Sequence, residues 1–265
     1  MWRTATLLCL TALAACSLDN GSFRYVSDVE RTWIRGVVTL PAGVTGVEAV
    51  RGRVVTTITK VNNSNNTFPL VLYLHGCTGI GNFSFFDRLA SRGYVVIAPD
   101  SFARRLRPRQ CDPAKTRGGN NLFVYDFRSA EITYALERIE SISWIDFDNL
   151  FLIGVSEGAV AAALFRGDVF NARVLAQWTC TGAPLIEGID APAHEAILSI
   201  VRENDPYYSS DNTIAQSGDC GTFLAGRQNS ESVILPSLTD SRDHDVFANE
   251  AGVDMILEFL FKHRR

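Results

Sequence analysis

The strongest constraint on the fold is a rhythm of short, wholly apolar runs separated by helix-patterned segments. Leu70-Val71-Leu72-Tyr73-Leu74, Tyr94-Val95-Val96-Ile97-Ala98, Leu150-Phe151-Leu152-Ile153, Val174 to Trp178, Ala196 to Val201 and Ser232-Val233-Ile234-Leu235 each have the length of a strand. Unbroken apolar runs of that length fit strands buried on both faces, as in parallel sheets. Between them, Phe83, Phe86, Leu89 and Ala90, and then Ile132, Ala135, Leu136 and Ile139, recur at helical spacing. Ala159 to Phe165 also reads as a helix, as does a last segment carrying Val253, Ile256, Leu257 and Leu260. This alternation predicts an α/β fold, with a mainly parallel central sheet and helices on both faces. Upstream, Trp33 to Lys60 reads as further strands, with Val54-Val55-Thr56-Thr57-Ile58-Thr59 the most β-branched stretch. No linker composition interrupts residues 33–265, so one domain is expected there.

Composition excludes several classes. The 265 residues are 46% hydrophobic with a formal net charge of −4. That balance excludes a disordered chain and a broadly basic nucleic-acid binder. Beyond residue 16 no apolar stretch is long enough for a transmembrane helix. No His-Glu-x-x-His, Cys-x-x-Cys or carboxylate-rich calcium loop occurs, so no metal is expected. No Gly-x-Gly-x-x-Gly follows the first strand of a βαβ unit, so no nucleotide cofactor is expected.

The amino terminus reads as an address. Arg3 is its only charge before Asp19, and an apolar stretch from Leu7 to Ala15 ends in small residues. That is the pattern of a secretory signal peptide over residues 1–15. Leu13-Ala14-Ala15-Cys16 resembles the lipobox of bacterial lipoproteins. The resemblance implies cleavage before Cys16, lipidation of that cysteine, and anchorage to the cell envelope by several acyl chains. Ser17 in place of aspartate then implies outer-membrane sorting. Residues 16–32 read as a polar tether. Four cysteines remain: Cys77, Cys111, Cys180 and Cys220. In an exported chain an even number suggests disulfides, and three pairings are possible. Cys77–Cys111 with Cys180–Cys220 is favoured, because those loops are local and do not cross.

Gly154-Val155-Ser156-Glu157-Gly158 lies between a predicted strand and a predicted helix. A sharp turn there exposes the serine oxygen above the sheet. The glycines fit because side chains would collide with the neighbouring strand and helix. A serine needs a base, and the base needs an orienting acid. Of four histidines, His75 falls in a strand-end His-Gly turn, His194 precedes a strand, and His263 is in the last helix. His244, in a polar loop between the last strand and the last helix, sits where ligands bind in open α/β sheets. For the acid, Asp205 ends the Ile200-Val201-Arg202-Glu203-Asn204-Asp205 segment before Pro206. Glu203 is its nearest rival, and Asp243 is too close in sequence to His244.

The order Ser156, Asp205, His244 is that of α/β-hydrolases. Tyr73-Leu74-His75-Gly76-Cys77-Thr78-Gly79 and Arg92-Gly93-Tyr94-Val95-Val96-Ile97-Ala98-Pro99-Asp100 resemble the dienelactone hydrolase-like family. Members commonly carry cysteine as nucleophile, and this chain has Ser156, a departure that bears on the substrate rather than on hydrolysis. The resemblance implies an α/β-hydrolase fold and an oxyanion hole from the backbone N–H groups of Cys77 and Glu157. It implies a serine hydrolase of small esters or lactones, working without a cofactor. A polyester or polysaccharide-ester hydrolase and an acyltransferase share the same machinery. The rival of another class is a non-catalytic envelope lipoprotein that binds a partner.

The basic segment Arg104-Arg105-Leu106-Arg107-Pro108-Arg109 follows a sheet strand. Arg104 and Arg105 are candidates for a substrate carboxylate, with a solvated or lipid-facing loop as the alternative. Trp178 is a candidate wall of the pocket, with core packing as the alternative.

Overall fold

The computed structural model describes residues 25–45, 50–61, 66–119, 121–183, 186–208, 218–238 and 243–265. The expected signal peptide, the expected lipidation site Cys16 and most of the expected tether lie outside the described residues.

Eight strands form one sheet: β1 (Val37–Leu40), β2 (Val50–Arg53), β3 (Phe68–Leu74), β4 (Val95–Ala98), β7 (Ile145–Val155), β8 (Ala172–Ala176), β9 (Ala196–Arg202) and β10 (Glu231–Leu235). Two short strands, β5 (Cys111–Asp112) and β6 (Arg117–Gly118), make a separate hairpin. The order is β10-β9-β8-β7-β3-β4-β1-β2, parallel from β10 to β4 and antiparallel where β1 joins β4 and β2. The five longer helices are α1 (Asp28–Arg35), α2 (Phe83–Ser91), α3 (Phe123–Ile139), α4 (Glu157–Leu164) and α5 (Glu250–Lys262).

Period-two alternation of wholly apolar strands divides the core into two layers. Leu70, Leu72 and Leu74 of β3 face one layer, with Tyr125 and Ile132 of α3 and Ala159 to Ala163 of α4. Val71 and Tyr73 face the other, with Phe85, Phe86 and Leu89 of α2 and Val253, Ile256, Leu257 and Leu260 of α5. Helices therefore cover both faces, as the apolar runs require. Phe83, expected on the apolar side of α2, is instead exposed, with Arg51 stacked over its ring.

Two expectations fail near the amino terminus. Helix α1 begins at Asp28, so the end of the expected tether is folded. Ser27 caps the helix by accepting from the Glu30 N–H, and Thr32 and Trp33 are buried. The β-branched run also fails as a strand, because Val54–Thr57 is a helical turn and Ile58–Lys60 a 3₁₀ turn. Val54 and Thr57 are the buried pair, three residues apart, and the Val54 N–H donates to Gly36 O. Burial at helical spacing overrides strand propensity here. Among the described residues no helix is long and apolar enough to cross a membrane.

Both disulfides are present with the non-crossing connectivity, Cys77 to Cys111 and Cys180 to Cys220.

Candidate active site

Strand β7 runs into α4 through Ser156, which stands at φ 53 and ψ −115, a backbone conformation that L-residues rarely adopt. Two glycines make that turn possible. A Cβ on Gly154 would collide with the Gly158 backbone, and one on Gly158 with the Leu74 carbonyl oxygen. The turn also draws the end of β3 close: a Cβ on Gly76 would meet Ser156 Cβ at 3.5 Å.

The remaining partners arrive from strand ends far away in sequence. His244 Nε2 lies 3.1 Å from Ser156 Oγ. His244 Nδ1 lies 2.7 Å and 2.9 Å from the two carboxylate oxygens of Asp205. Asp205 follows β9 and is buried. Its carboxylate also accepts from the Tyr207 N–H, which fixes its plane. The rivals go elsewhere. Glu203 is exposed, and Asp243 accepts from Ser237 Oγ and the Leu238 N–H to close its own loop. His194 pairs with Asp168 at the surface, and His263 caps α5.

Cys77 lines the cleft over Ser156, and Glu157 follows the serine as the first residue of α4. Glu157 opens α4, where the helix dipole favours negative charge. Its carboxylate turns inward to an ion pair with Arg107.

The cleft over Ser156 holds about 590 Å³. Tyr73, Asn82, Pro113, Thr116, Tyr207 and Asp245 are among its walls. Three candidate substrate-binding residues are absent from its lining. Trp178 is buried in the core layer, with its indole N–H donated to Thr181 O. Arg104 is spent on Glu131 and the Phe127 carbonyl, and its guanidinium stacks on the Phe127 ring. Arg105 is exposed outside the cleft. The basic segment thus divides into paired arginines beneath the site and exposed side chains beyond it.

Reading the sequence missed two tyrosines. The Tyr207 ring lies 4.1 Å from the His244 ring. Tyr208 hydrogen-bonds Ser156 and is not among the residues lining the cleft. Burial, and then the charge of Asp205, push its phenol well above the ordinary tyrosine value. Adjacency to Asp205 and Pro206 was the available signal. Among the described residues no His, Cys, Asp and Glu cluster has the makings of a metal site.

His75 ends β3 and is fully buried. Burial first, and the Arg128 charge second, hold its pKa well below the ordinary 6.5. The folded state therefore refuses a proton that the unfolded chain accepts. Stability from this site is present above pH 6.5 and is lost as pH falls below it. Urea melts from pH 7 to 5 should show a falling midpoint, with a slope approaching ~1.4 kcal/mol per pH unit for this one proton. A His75→Asn variant with the same pH slope would assign the effect to other groups.

No protein-family model matches the chain, and no curated protein matches it. Solved structures do match its shape. Esterase B from Lactobacillus rhamnosis, in a tributyrin phosphonate-inhibited form, superposes with a TM-score of 0.51 at 17% identity, covering 77% of each chain. The Pyrococcus horikoshii acylaminoacyl peptidase gives 0.51 at 14% identity, over 77% of this chain and 38% of that one. A Klebsiella pneumoniae protein provisionally named a dienelactone hydrolase gives 0.49 at 18% identity, over 76% and 88%. The fold is that of the α/β-hydrolases. At these identities the likeness stops at the fold.

Proposed function

We propose that the protein is a serine hydrolase of small, uncharged carboxylic esters or lactones. The observation that carries the proposal is the unbroken relay from Ser156 Oγ through His244 to Asp205, over 3.1 Å and 2.7 Å. With Asp205 ionised, His244 holds its proton on Nδ1 and presents a bare Nε2 to the serine hydroxyl. Nε2 takes the hydroxyl proton as Oγ attacks the ester carbonyl. The oxyanion develops between the Cys77 and Glu157 N–H groups, at the positive end of α4. The carbonyl re-forms, the C–O bond breaks, and His244 returns its proton to the leaving alcohol. Water then repeats the sequence on the acyl-enzyme and frees the acid and Ser156.

The cleft supports the substrate class. Among the described lining residues Asp245 is the only charged side chain outside the relay, and no arginine or lysine reaches in. A substrate carboxylate there would meet like charge without a partner. Mono-p-nitrophenyl succinate should therefore be cleaved about tenfold less efficiently than p-nitrophenyl butyrate, a repulsion of ~1.4 kcal/mol. Asp245→Asn should narrow that ratio. Equal kcat/KM for both esters in the parent protein would reject an uncharged substrate.

Cys16 and the polar segment after it support an envelope-anchored form of this hydrolase, held to the outer membrane through lipid. The test of the activity is a fluorophosphonate probe on the oxidised protein. Stoichiometric phosphonylation of Ser156, mapped by peptide mass spectrometry, is the expected result. A folded protein that stays unlabelled would overturn the hydrolase reading.

A further inference from the structure

Beneath the oxyanion loop lies a buried charge cluster with no counterpart in the relay. Arg128 of α3 is fully buried. Its Nη1 lies 3.0 Å from His75 Nε2, and its Nη2 donates to the His75 carbonyl at 3.0 Å. Glu131 stands 3.4 Å from the same guanidinium, and Glu157 Oε1 is 4.0 Å from its Nε. Arg104 pairs with Glu131, and Arg107 with Glu157. A cluster of this kind gains little net stability over well-packed apolar side chains.

The donors and acceptors leave one arrangement open. Arg128 can only donate, and so can the Ser101 N–H, which also points at His75 Nε2 from 3.0 Å. Nε2 must therefore carry a lone pair, and the single ring proton sits on Nδ1. Nδ1 lies 2.7 Å from Gly76 O and donates to it, with the Gly79 N–H as a second donor at 3.2 Å. The Gly76–Cys77 peptide is trans, so its N–H points opposite to its C=O. Locking the carbonyl against His75 turns the Cys77 N–H the other way, away from the imidazole, in a segment where Gly76 and Cys77 line the cleft with Ser156.

We propose that His75 and Arg128 are positioning residues for the oxyanion hole. Arg128 imposes the Nδ1–H tautomer on His75, and that proton aims the Cys77 N–H at the developing oxyanion. The same guanidinium flanks Glu157, whose N–H is the second donor, so one buried cation references both donors. This rests on the hydrolase reading above.

Two substitutions at His75 separate aim from packing. In His75→Asn the side-chain amide nitrogen occupies the place of Nδ1 and still donates to Gly76 O. In His75→Gln the amide reaches the place of Nε2, and the donor to Gly76 O is lost. The readouts are kcat and KM for p-nitrophenyl butyrate, the inhibition constant of an alkyl trifluoromethyl ketone, and the thermal midpoint. His75→Gln should lose about 10²–10³ in kcat, the cost of one oxyanion donor, with KM within about threefold. Its affinity for the ketone, whose adduct carries an oxyanion, should fall in step with kcat. His75→Asn should recover most of both. Arg128→Met should behave as His75→Gln does. Equal losses in the two His75 variants, or a His75→Gln protein with parental kcat, would overturn the proposal. Should the variants not fold, nitrogen NMR of the parent decides it directly, because a His75 ring protonated on Nε2 refutes it. If the parent hydrolyses no ester and its serine takes no fluorophosphonate, the hydrolase reading itself has failed. A correct His75 tautomer would then leave the geometry standing without an oxyanion to serve.

Discussion

Ser156→Ala is expected to lose roughly 10⁴–10⁶ in kcat on p-nitrophenyl butyrate, with all fluorophosphonate labelling gone. The size follows from the chemistry, since among the described lining residues only the Ser156 hydroxyl is hydrogen-bonded to His244 Nε2. Tyr208 reaches the serine but holds its proton far above neutral pH, and His244 would have no hydroxyl to deprotonate. The melting temperature should barely move. Alanine inherits the same φ of 53, and only the bonds of one hydroxyl to His244 and Tyr208 disappear. Substantial residual turnover with intact labelling would place the chemistry on another residue.

Asp205→Asn is the second large effect, about 10⁴ in kcat. The amide fits the same space but can donate as well as accept. Its NH₂ group would offer a hydrogen bond to His244 Nδ1, favouring the tautomer with the proton on Nε2. A protonated Nε2 points a proton at Ser156 Oγ and cannot accept one. The loss should therefore fall on kcat with KM little changed. It should shrink at alkaline pH if hydroxide takes the serine proton instead. A loss below about tenfold would show that the acid holding His244 lies elsewhere, although Asp205 is within 2.9 Å by both oxygens.

The central sheet was legible because burial on both faces leaves a simple signature: every residue of β4 and β8 is buried, and all but Arg173 are apolar. Gly154-x-Ser156-x-Gly158 was legible because the turn needs glycine at two fixed positions around the serine, Gly154 against the Gly158 backbone and Gly158 against the Leu74 carbonyl. Asp205 and His244 could be picked out because strand ends on one edge of a parallel sheet must converge. What escaped depended on partners distant in the chain. Arg104 looked free beside three other arginines, yet its partner Glu131 is a helix away. Trp178 looked like a wall because it ends a strand, but the loop that follows folds back to accept its N–H. Val54 and Thr57 looked like strand until a glycine at 52 gave the Thr57 side chain room to tuck beneath the sheet edge. None of these contacts has a local sequence mark.

The bridge between Cys77 and Cys111 joins the loop beside Ser156 to the hairpin that carries Pro113 and Thr116 over the cleft. Roof and floor on that side are one covalent piece, and the gap between them cannot breathe independently. In the proposed hydrolase, room for bulkier acyl groups would then come from lining side chains outside that bridged piece, among them Tyr73, Asn82 and Asp245. Variation in chain-length tolerance among engineered forms of this protein should accordingly track changes at those residues.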